Sequence, residues 1–177
     1  MICREFFIRR RCTGYLQSGM QPKAKTSRKS FTDVFHQYGF EDIETPTFEY
    51  FEVFSKEVGT IPPGSFINFL TEKANTLVLR PDFTPSVSRA CATYFNPEKE
   101  VVSLCYTGNT FINNSSFRGR LKETTQMGVE RMGDDSPEAD AEILAMTVEC
   151  LLATGLTEFQ VSVGRLTIIK RFLPRQA

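Results

Sequence analysis

Four polar side chains in two separate segments have the types needed to bind a small cationic ligand. Asp82 and Thr84 follow a short β-type run, in a loop of the kind that often carries binding residues. Gln126 and Glu130 are four residues apart in a second β-type run, so they face the same side of a strand. Carboxylate, amide and hydroxyl groups together suit an ammonium group or an imidazole ring. By spacing alone, solvent-facing strand residues are the favoured interpretation.

The elements that must position these residues can be predicted from local pattern. A short strand is predicted at residues 76–80, followed by a loop that leads into a helix, with Pro85 near its first turn. Residues 101–113 and 122–133 predict a long antiparallel pair of strands. The two candidate segments therefore lie at the end of one strand and in the middle of another.

The flanking regions predict further helices and strands. Apolar residues from Phe31 to Tyr38 repeat at helical spacing, and Gly39 ends the helix. Residues 41–54 predict a strand interrupted by Pro46, then a short aromatic segment.

The clearest predicted helix covers residues 137–153. Ser136 is a suitable N-cap, Pro137 occupies the first turn and Gly155 ends the helix. One more strand is predicted at 158–164. This mixed order with antiparallel pairing predicts an α+β fold, an antiparallel sheet flanked by helices.

Composition restricts the class of protein. The chain has 177 residues, of which 41% are hydrophobic, enough for one domain with a core. We find no apolar run of the roughly 20 residues that a membrane helix needs. The five cysteines include no Cys-x-x-Cys pair, which predicts neither disulfides nor a zinc site and favours a reduced, cytoplasmic setting. His36 is the single histidine, so neither a metal site nor a catalytic triad is expected.

The net charge of zero conceals an uneven distribution. Residues 1–29 carry eight Lys/Arg and one acid, and residues 165–177 carry four Lys/Arg and no acid. The remaining 21 − 12 = 9 basic and 21 − 1 = 20 acidic residues give residues 30–164 a charge of −11. A core of that charge repels phosphate, which disfavours tRNA as its partner.

Residues 30–164 resemble part of the class II aminoacyl-tRNA synthetase core of the histidyl family. GFEDIETPTFE resembles motif 1, which contains the interface proline of that family, here Pro46. LRPDFTP resembles a histidine-contact segment, and the run from Tyr106 to Gly133 resembles motif 2. The resemblance implies that Asp82 and Thr84 contact the amino group of histidine. It also implies that Gln126 contacts histidine and that Glu130 contacts histidine on its imidazole side.

Two departures from the synthetase pattern predict a non-catalytic branch. Ile112 stands where motif 2 has the arginine that binds the ATP α-phosphate and the amino-acid carboxylate, and Asn114 replaces an acidic residue. Loss of such a charge-stabilising contact typically costs about 10²–10³ in rate. Together with FINNS, GRLKETTQ and ADAEILA, these changes resemble the regulatory subunits of ATP phosphoribosyltransferase, in the first step of histidine biosynthesis.

That resemblance implies a partner and a ligand, and it implies no cofactor and no metal. The partner would be the short-form ATP phosphoribosyltransferase catalytic subunit, histidine would be the sensed ligand, and motif 1 would form a homodimer. Two other interpretations remain: a histidyl-tRNA synthetase-like fragment, and a folded remnant without activity.

The resemblance is predicted to stop at the two charge boundaries. Residues 1–29 lack the expected leucine-proline segment, and their composition predicts disorder or a non-family segment. Arg165 stands where the family has a histidine, so residues 165–177 are predicted to be a basic non-family tail. The expected organisation is a partial synthetase-like domain at 30–164 between these two segments.

Overall fold

Two small sheets and four helices make up the described part of the chain. The computed structural model describes residues 21–55, 63–113 and 121–163. The helices are α1 (Gln21–Gln37), α2 (Phe51–Ser55), α3 (Thr84–Tyr94) and α4 (Pro137–Ala153), with a 3-10 turn at Pro63–Ser65. The strands are β1 (Glu41–Asp42), β2 (Phe48–Tyr50), β3 (Asn68–Leu70), β4 (Thr76–Leu79), β5 (Val102–Phe111) and β6 (Glu123–Met132).

The strands form one larger and one smaller sheet. In the larger sheet the order is β1-β5-β6, with β1 parallel and β6 antiparallel to β5. The smaller sheet has the order β2-β4-β3 and is antiparallel throughout. The β5–β6 pair is in register from Val102 opposite Met132 to Phe111 opposite Glu123, so the predicted long antiparallel pair is confirmed.

Helices cover both faces of the larger sheet, because alternate residues of β5 and β6 are apolar on each side. One core cluster joins the sheet to α1 and α4 and includes Phe35, Cys105, Val129 and Met146. The other joins the opposite face to α3 and includes Phe83, Val87, Leu104, Tyr106 and Met132. The α+β class predicted from the sequence is therefore confirmed.

The first helix begins earlier than its apolar pattern predicts. The sequence predicts regular structure only from residue 30, whereas α1 begins at Gln21. Pro22 lies in the first turn, where a missing N–H removes no helical hydrogen bond, and the following Lys and Ala residues favour helix. Part of the segment predicted to be disordered is thus helical, and residues 1–20 lie outside the described residues.

The predicted strand at 158–164 is wrong for its described part. Residues 158–163 are in no strand and all are exposed. A β-strand is stabilised by pairing with a neighbour, and within residues 21–55, 63–113 and 121–163 the larger sheet ends at β6. The alternation of apolar residues indicates a tendency to form a strand, but no described strand pairs with this segment.

The cap of α4 gives a first prediction. The hydroxyl of Ser136 accepts a hydrogen bond from the Ala139 N–H at 3.2 Å, and the extended backbone of Ser136 leads into Pro137. We expect Ser136→Ala to lower the free energy of unfolding by about 1 kcal/mol, because the orphan N–H loses its acceptor. The melting temperature should fall by about 2–4 °C for that change.

Ser136→Asp is the matched control for this cap, since a carboxylate accepts the same bond. Its melting temperature should equal or exceed that of the unchanged chain. Equal melting of the Ala and Asp variants would contradict the assigned capping role.

Candidate ligand-binding site

The four polar residues predicted from the sequence meet where α3 begins, against β5 and β6. Asp82 lies two residues before Thr84, which is the first residue of α3. Gln126 and Glu130 are on β6 and reach the start of α3 through their side chains. The loop, the helix start and the strand thus converge on one cluster.

Hydrogen bonds link these side chains in two pairs. Asp82 Oδ1 accepts from Gln126 Nε2 at 3.2 Å and from the backbone N–H of Phe83 at 2.6 Å. Thr84 Oγ1 donates to Glu130 Oε1 at 2.6 Å. Each pair joins the start of α3 to β6, so the arrangement is held by the fold and by the side chains together.

All four residues are buried, which overturns the solvent-facing interpretation that spacing alone favours. The exposed fraction is 0% for Glu130 and 6% or less for the other three. The physical reason is tertiary: α3 covers the face of β6 on which Gln126 and Glu130 lie. Buried carboxyl groups are expensive unless hydrogen-bonded, and here they are hydrogen-bonded.

A stack of three side chains adjoins this cluster, and none of the three was among the candidate residues predicted from the sequence. The rings of Phe83 and Tyr106 are parallel, with centroids 4.4 Å apart. The Arg80 guanidinium lies over Phe83 at 4.0 Å from the ring centroid. Tyr106 also touches the polar cluster, since its hydroxyl accepts from Gln126 Nε2 at 3.4 Å.

Arg80 is held by backbone oxygens of the β1–β2 connection and of β5. Its Nη1 donates to the carbonyls of Thr45 at 2.7 Å and Pro46 at 3.2 Å, and its Nε donates to the Asn109 carbonyl at 2.9 Å. Burial lowers the pKa of Arg80 below its ordinary value, but a guanidinium remains charged at neutral pH. In the sequence, Arg80 could have been identified by its position, because it is a cationic residue at the end of a predicted strand, two positions before Asp82.

Close packing behind this stack requires a glycine at position 108. A Cβ there would lie 2.6 Å from Phe83 Cζ and 2.8 Å from Arg80 Nη2. Only a hydrogen atom fits, so Gly108 allows the aromatic ring and the guanidinium to lie directly against β5. Gly108 pairs with Gln126, which places this contact beside the polar cluster.

The start of α3 holds one further polar group. The Ser86 hydroxyl is fully buried and, among the described residues, is the buried side-chain oxygen or nitrogen that lacks a hydrogen-bond partner. Buried polar atoms in folded proteins are nearly always satisfied. A ligand or an ordered water at the start of α3 would supply the missing partner.

Ile112 follows β5 at the outer end of this face. Its side chain is half-buried, and its backbone N–H donates to the Lys122 carbonyl at 2.8 Å across the hairpin. An alkyl group offers no charge to a phosphate or a carboxylate. Asn114, the second departure, lies outside the described residues.

A separate group of potential metal ligands lies on the opposite side of β5. His36, Asp42 and Cys105 bring their ligand atoms within 4.8 Å of one another. A single histidine does not predict a metal site, and these residues become neighbours only through the fold. No helix in the described ranges is long and apolar enough to cross a membrane.

Comparisons with known proteins define the class to which this fold and site belong. The sequence model of the family described as "Histidyl-tRNA synthetase" matches residues 20–177. The chain therefore belongs to the histidyl-tRNA synthetase family. The match includes all of residues 165–177, so it gives no support to the expectation of a non-family tail there.

Within that family, the similar proteins carry the name of a regulatory subunit. The ATP phosphoribosyltransferase regulatory subunit of Ruminiclostridium cellulolyticum is 41% identical over 148 residues, which are 84% of this chain and 35% of that protein. The protein of the same name from Acetivibrio thermocellus is 39% identical over 137 residues, covering 77% and 33% of the two chains. The chain thus spans about a third of the length of these curated relatives.

A solved structure agrees in fold. The ATP phosphoribosyltransferase regulatory subunit/histidyl-tRNA synthetase from Bacillus halodurans superposes with a TM-score of 0.69 at 32% identity, covering 84% of this chain and 38% of that one. The predicted class II synthetase-like core is therefore confirmed, as is the predicted likeness to regulatory subunits of ATP phosphoribosyltransferase.

Proposed function

We propose that this chain is a non-catalytic regulatory subunit of ATP phosphoribosyltransferase, or part of one. It binds histidine in the cluster of Asp82, Thr84, Gln126 and Glu130, and it acts by contact with the short-form catalytic subunit. The observation that carries the proposal is the buried polar cluster at the start of α3. Ile112, which carries no charge, follows β5 further along the same hairpin.

The chemistry of the cluster suits a small cationic amino acid. Asp82 and Glu130 bring two carboxyl groups, and their neighbours in the cluster are an amide and a hydroxyl. Such acceptors bind an ammonium group and an imidazole N–H strongly where water is excluded. The Phe83–Tyr106 stack lies beside them and contacts the cluster through the Tyr106 hydroxyl, 3.4 Å from Gln126 Nε2. Histidine has the three matching parts: an amino group, an N–H donor and a flat ring.

The same residues fit poorly with aminoacyl-adenylate formation. That reaction develops negative charge at the phosphate, and a positioned cation normally stabilises it. Ile112 supplies none, and Arg80 already donates to three carbonyl oxygens. A binding site without the catalytic cation agrees with sensing rather than with catalysis.

An apolar face on the smaller sheet suits a contact with protein. Phe48, Tyr50 and Phe69 lie on one face of β2 and β3: Phe48 is opposite Leu79 of β4, and Tyr50 and Phe69 are opposite Leu77 from either side. The three aromatic residues are 52%, 55% and 39% exposed. Phe48 and Phe69 pack edge to face with centroids 5.9 Å apart. Exposed contiguous aromatic residues mark interaction surfaces more often than free surface. The motif 1 strand contributes to this face, in keeping with a homodimer.

The decisive test combines the purified chain with a short-form catalytic subunit. We expect co-elution in size-exclusion chromatography, raised ATP phosphoribosyltransferase activity, and inhibition of that activity by histidine. In parallel, histidine-dependent exchange of pyrophosphate with ATP should be absent.

Each alternative predicts a different result in this experiment. Measurable pyrophosphate exchange would assign the chain to the synthetases. A chain that melts cooperatively but neither joins the catalytic subunit nor responds to histidine would be a folded remnant. Either outcome would overturn the proposal.

A further inference from the structure

Three potential metal ligands from three elements converge on the face of β5 opposite the polar cluster. His36 lies in the last turn of α1, Asp42 in β1 and Cys105 in β5. The His36 Nε2 and Asp42 Oδ2 atoms are 2.9 Å apart, and Cys105 Sγ is 3.4 Å from Asp42 Oδ1. All three ligand atoms lie within 4.8 Å of one another.

The backbone holds these residues in place independently of their side chains. Gly39, with φ of +77°, reverses the chain after α1 and directs it into β1. Strand β1 pairs in parallel with β5, with Asp42 in register with Cys105. The N–H of Ile43 then donates to the Cys105 carbonyl at 2.9 Å. The positions of all three ligands are therefore set by the fold.

The spacing is close to that of a tetrahedral centre. Zinc binds His nitrogen and carboxylate oxygen at about 2.0–2.2 Å and Cys sulfur at about 2.3 Å, which places neighbouring ligand atoms about 3.4–3.6 Å apart. The two Asp42 oxygens lie 2.9 Å from His36 Nε2 and 3.4 Å from Cys105 Sγ, and one ligand atom from each residue can be chosen so that all three lie within 4.8 Å of one another. Rotation of the half-exposed His36 and exposed Asp42 side chains would close the difference.

We propose that His36, Asp42 and Cys105 form a binding site for a thiophilic divalent cation such as Zn²⁺. The nitrogen, oxygen and sulfur ligands are the three kinds that zinc uses in proteins, and a fourth position remains for water. Calcium and magnesium prefer oxygen ligands, so the nitrogen and sulfur atoms of this site disfavour both ions. The side chains of His36 and Asp42 are 46% and 67% exposed, which leaves an entry path to the buried sulfur.

Metal binding here exchanges one proton for one cation. In the unbound site the Cys105 thiol donates a hydrogen bond to Asp42 Oδ1 at 3.4 Å, so the sulfur carries S–H. On binding, the metal–sulfur bond forms as the S–H bond breaks, and the proton leaves to solvent. The bound cation offsets the negative charge of the buried thiolate. Binding would tie the end of α1 to β1 and β5.

Cobalt(II) alone is the probe for this site, because thiolate coordination gives it a sulfur-to-cobalt absorption band. Cys3 and Cys12 lie outside the described residues, so every variant carries both as serine. We expect the background chain to show the band and Cys105→Ser to lose it. Cys150→Ser is the matched control, since Cys150 is a buried cysteine of the same core cluster and is not part of the site. It should keep the band.

Zinc affinity, measured by competition with cobalt, completes the test. His36→Gln and Asp42→Asn should each weaken it by at least the roughly 10–100-fold that loss of an outer-sphere partner costs. Zinc should raise the melting temperature of the background chain but not that of Cys105→Ser. A cobalt band that survives in Cys105→Ser, or equal zinc affinity in all variants, would overturn the proposal. These readouts are independent of histidine binding, so they are separable from the proposed function.

Discussion

Replacing Glu130 by glutamine is expected to abolish most of the affinity for histidine while leaving the protein folded. The side chain is fully buried, accepts from Thr84 Oγ1 at 2.6 Å and is proposed to meet the imidazole side of the ligand. A hydrogen bond to a charged group contributes about 1.5–3 kcal/mol, so its loss corresponds to roughly 10–150-fold weaker binding. Isothermal titration with histidine measures the effect directly.

Glutamine preserves the shape of Glu130 and can still accept from Thr84. We therefore expect the melting temperature without histidine to change little, whereas the rise caused by millimolar histidine should disappear. Glu123→Gln is the matched control, because Glu123 is an exposed glutamate on the same strand. Its affinity should be unchanged. Equal histidine affinity in Glu130→Gln and Glu123→Gln would remove Glu130 from the site.

The second large effect is expected from Gly108→Ala. The added Cβ would meet Phe83 Cζ at 2.6 Å and Arg80 Nη2 at 2.8 Å, and neither atom is free to withdraw. Phe83 is stacked on Tyr106, and Arg80 donates to backbone carbonyls on two sides. Overpacking of this kind costs about 1–3 kcal/mol. The melting temperature should fall by about 2–12 °C, since 1 kcal/mol shifts a domain of this size by about 2–4 °C.

Gly64→Ala provides the control for Gly108→Ala. A Cβ at Gly64 would meet nothing within 4 Å, so this change should alter the free energy of unfolding by no more than about 0.5 kcal/mol. Combining Gly108→Ala with Phe83→Leu should recover part of the lost stability, because the shortened side chain makes room for the methyl group. Equal melting of the two alanine variants would show that the stack does not depend on glycine.

Features set by neighbours in sequence were predictable, and α4 is the clearest case. Ser136, Pro137 and Gly155 predict a helix at residues 137–153, and the structure has those bounds. The pairing of β5 with β6 was equally predictable, because long alternating runs flank a short polar loop. In both cases the information lies within a few residues of the feature.

Features set by distant parts of the chain were not predictable from pattern. The burial of Glu130 depends on α3, which covers β6 from 46 residues earlier in the chain. Asp42 and Cys105 are 63 residues apart in the chain and meet through the parallel pairing of β1 with β5. Strand β1 has two residues, too few for local pattern to predict that pairing. The segment at 158–163 alternates like a strand, yet no described strand pairs with it. The resemblance to the histidyl family implied the four residues of the polar cluster, and only the tertiary structure shows that they are buried together.

The hydrogen bonds of Arg80 link the two sheets. Its side chain holds the connection from β1 to β2 and the middle of β5, while its backbone N–H donates to Thr47 and its carbonyl accepts from Phe111. On the other side, Arg89 of α3 binds Glu49 of β2 at 2.6 Å. A partner that shifts β2 must therefore either break these hydrogen bonds or move the start of α3 with it. The strand with the exposed aromatic face is thereby connected to Thr84 through Glu49, Arg89 and α3.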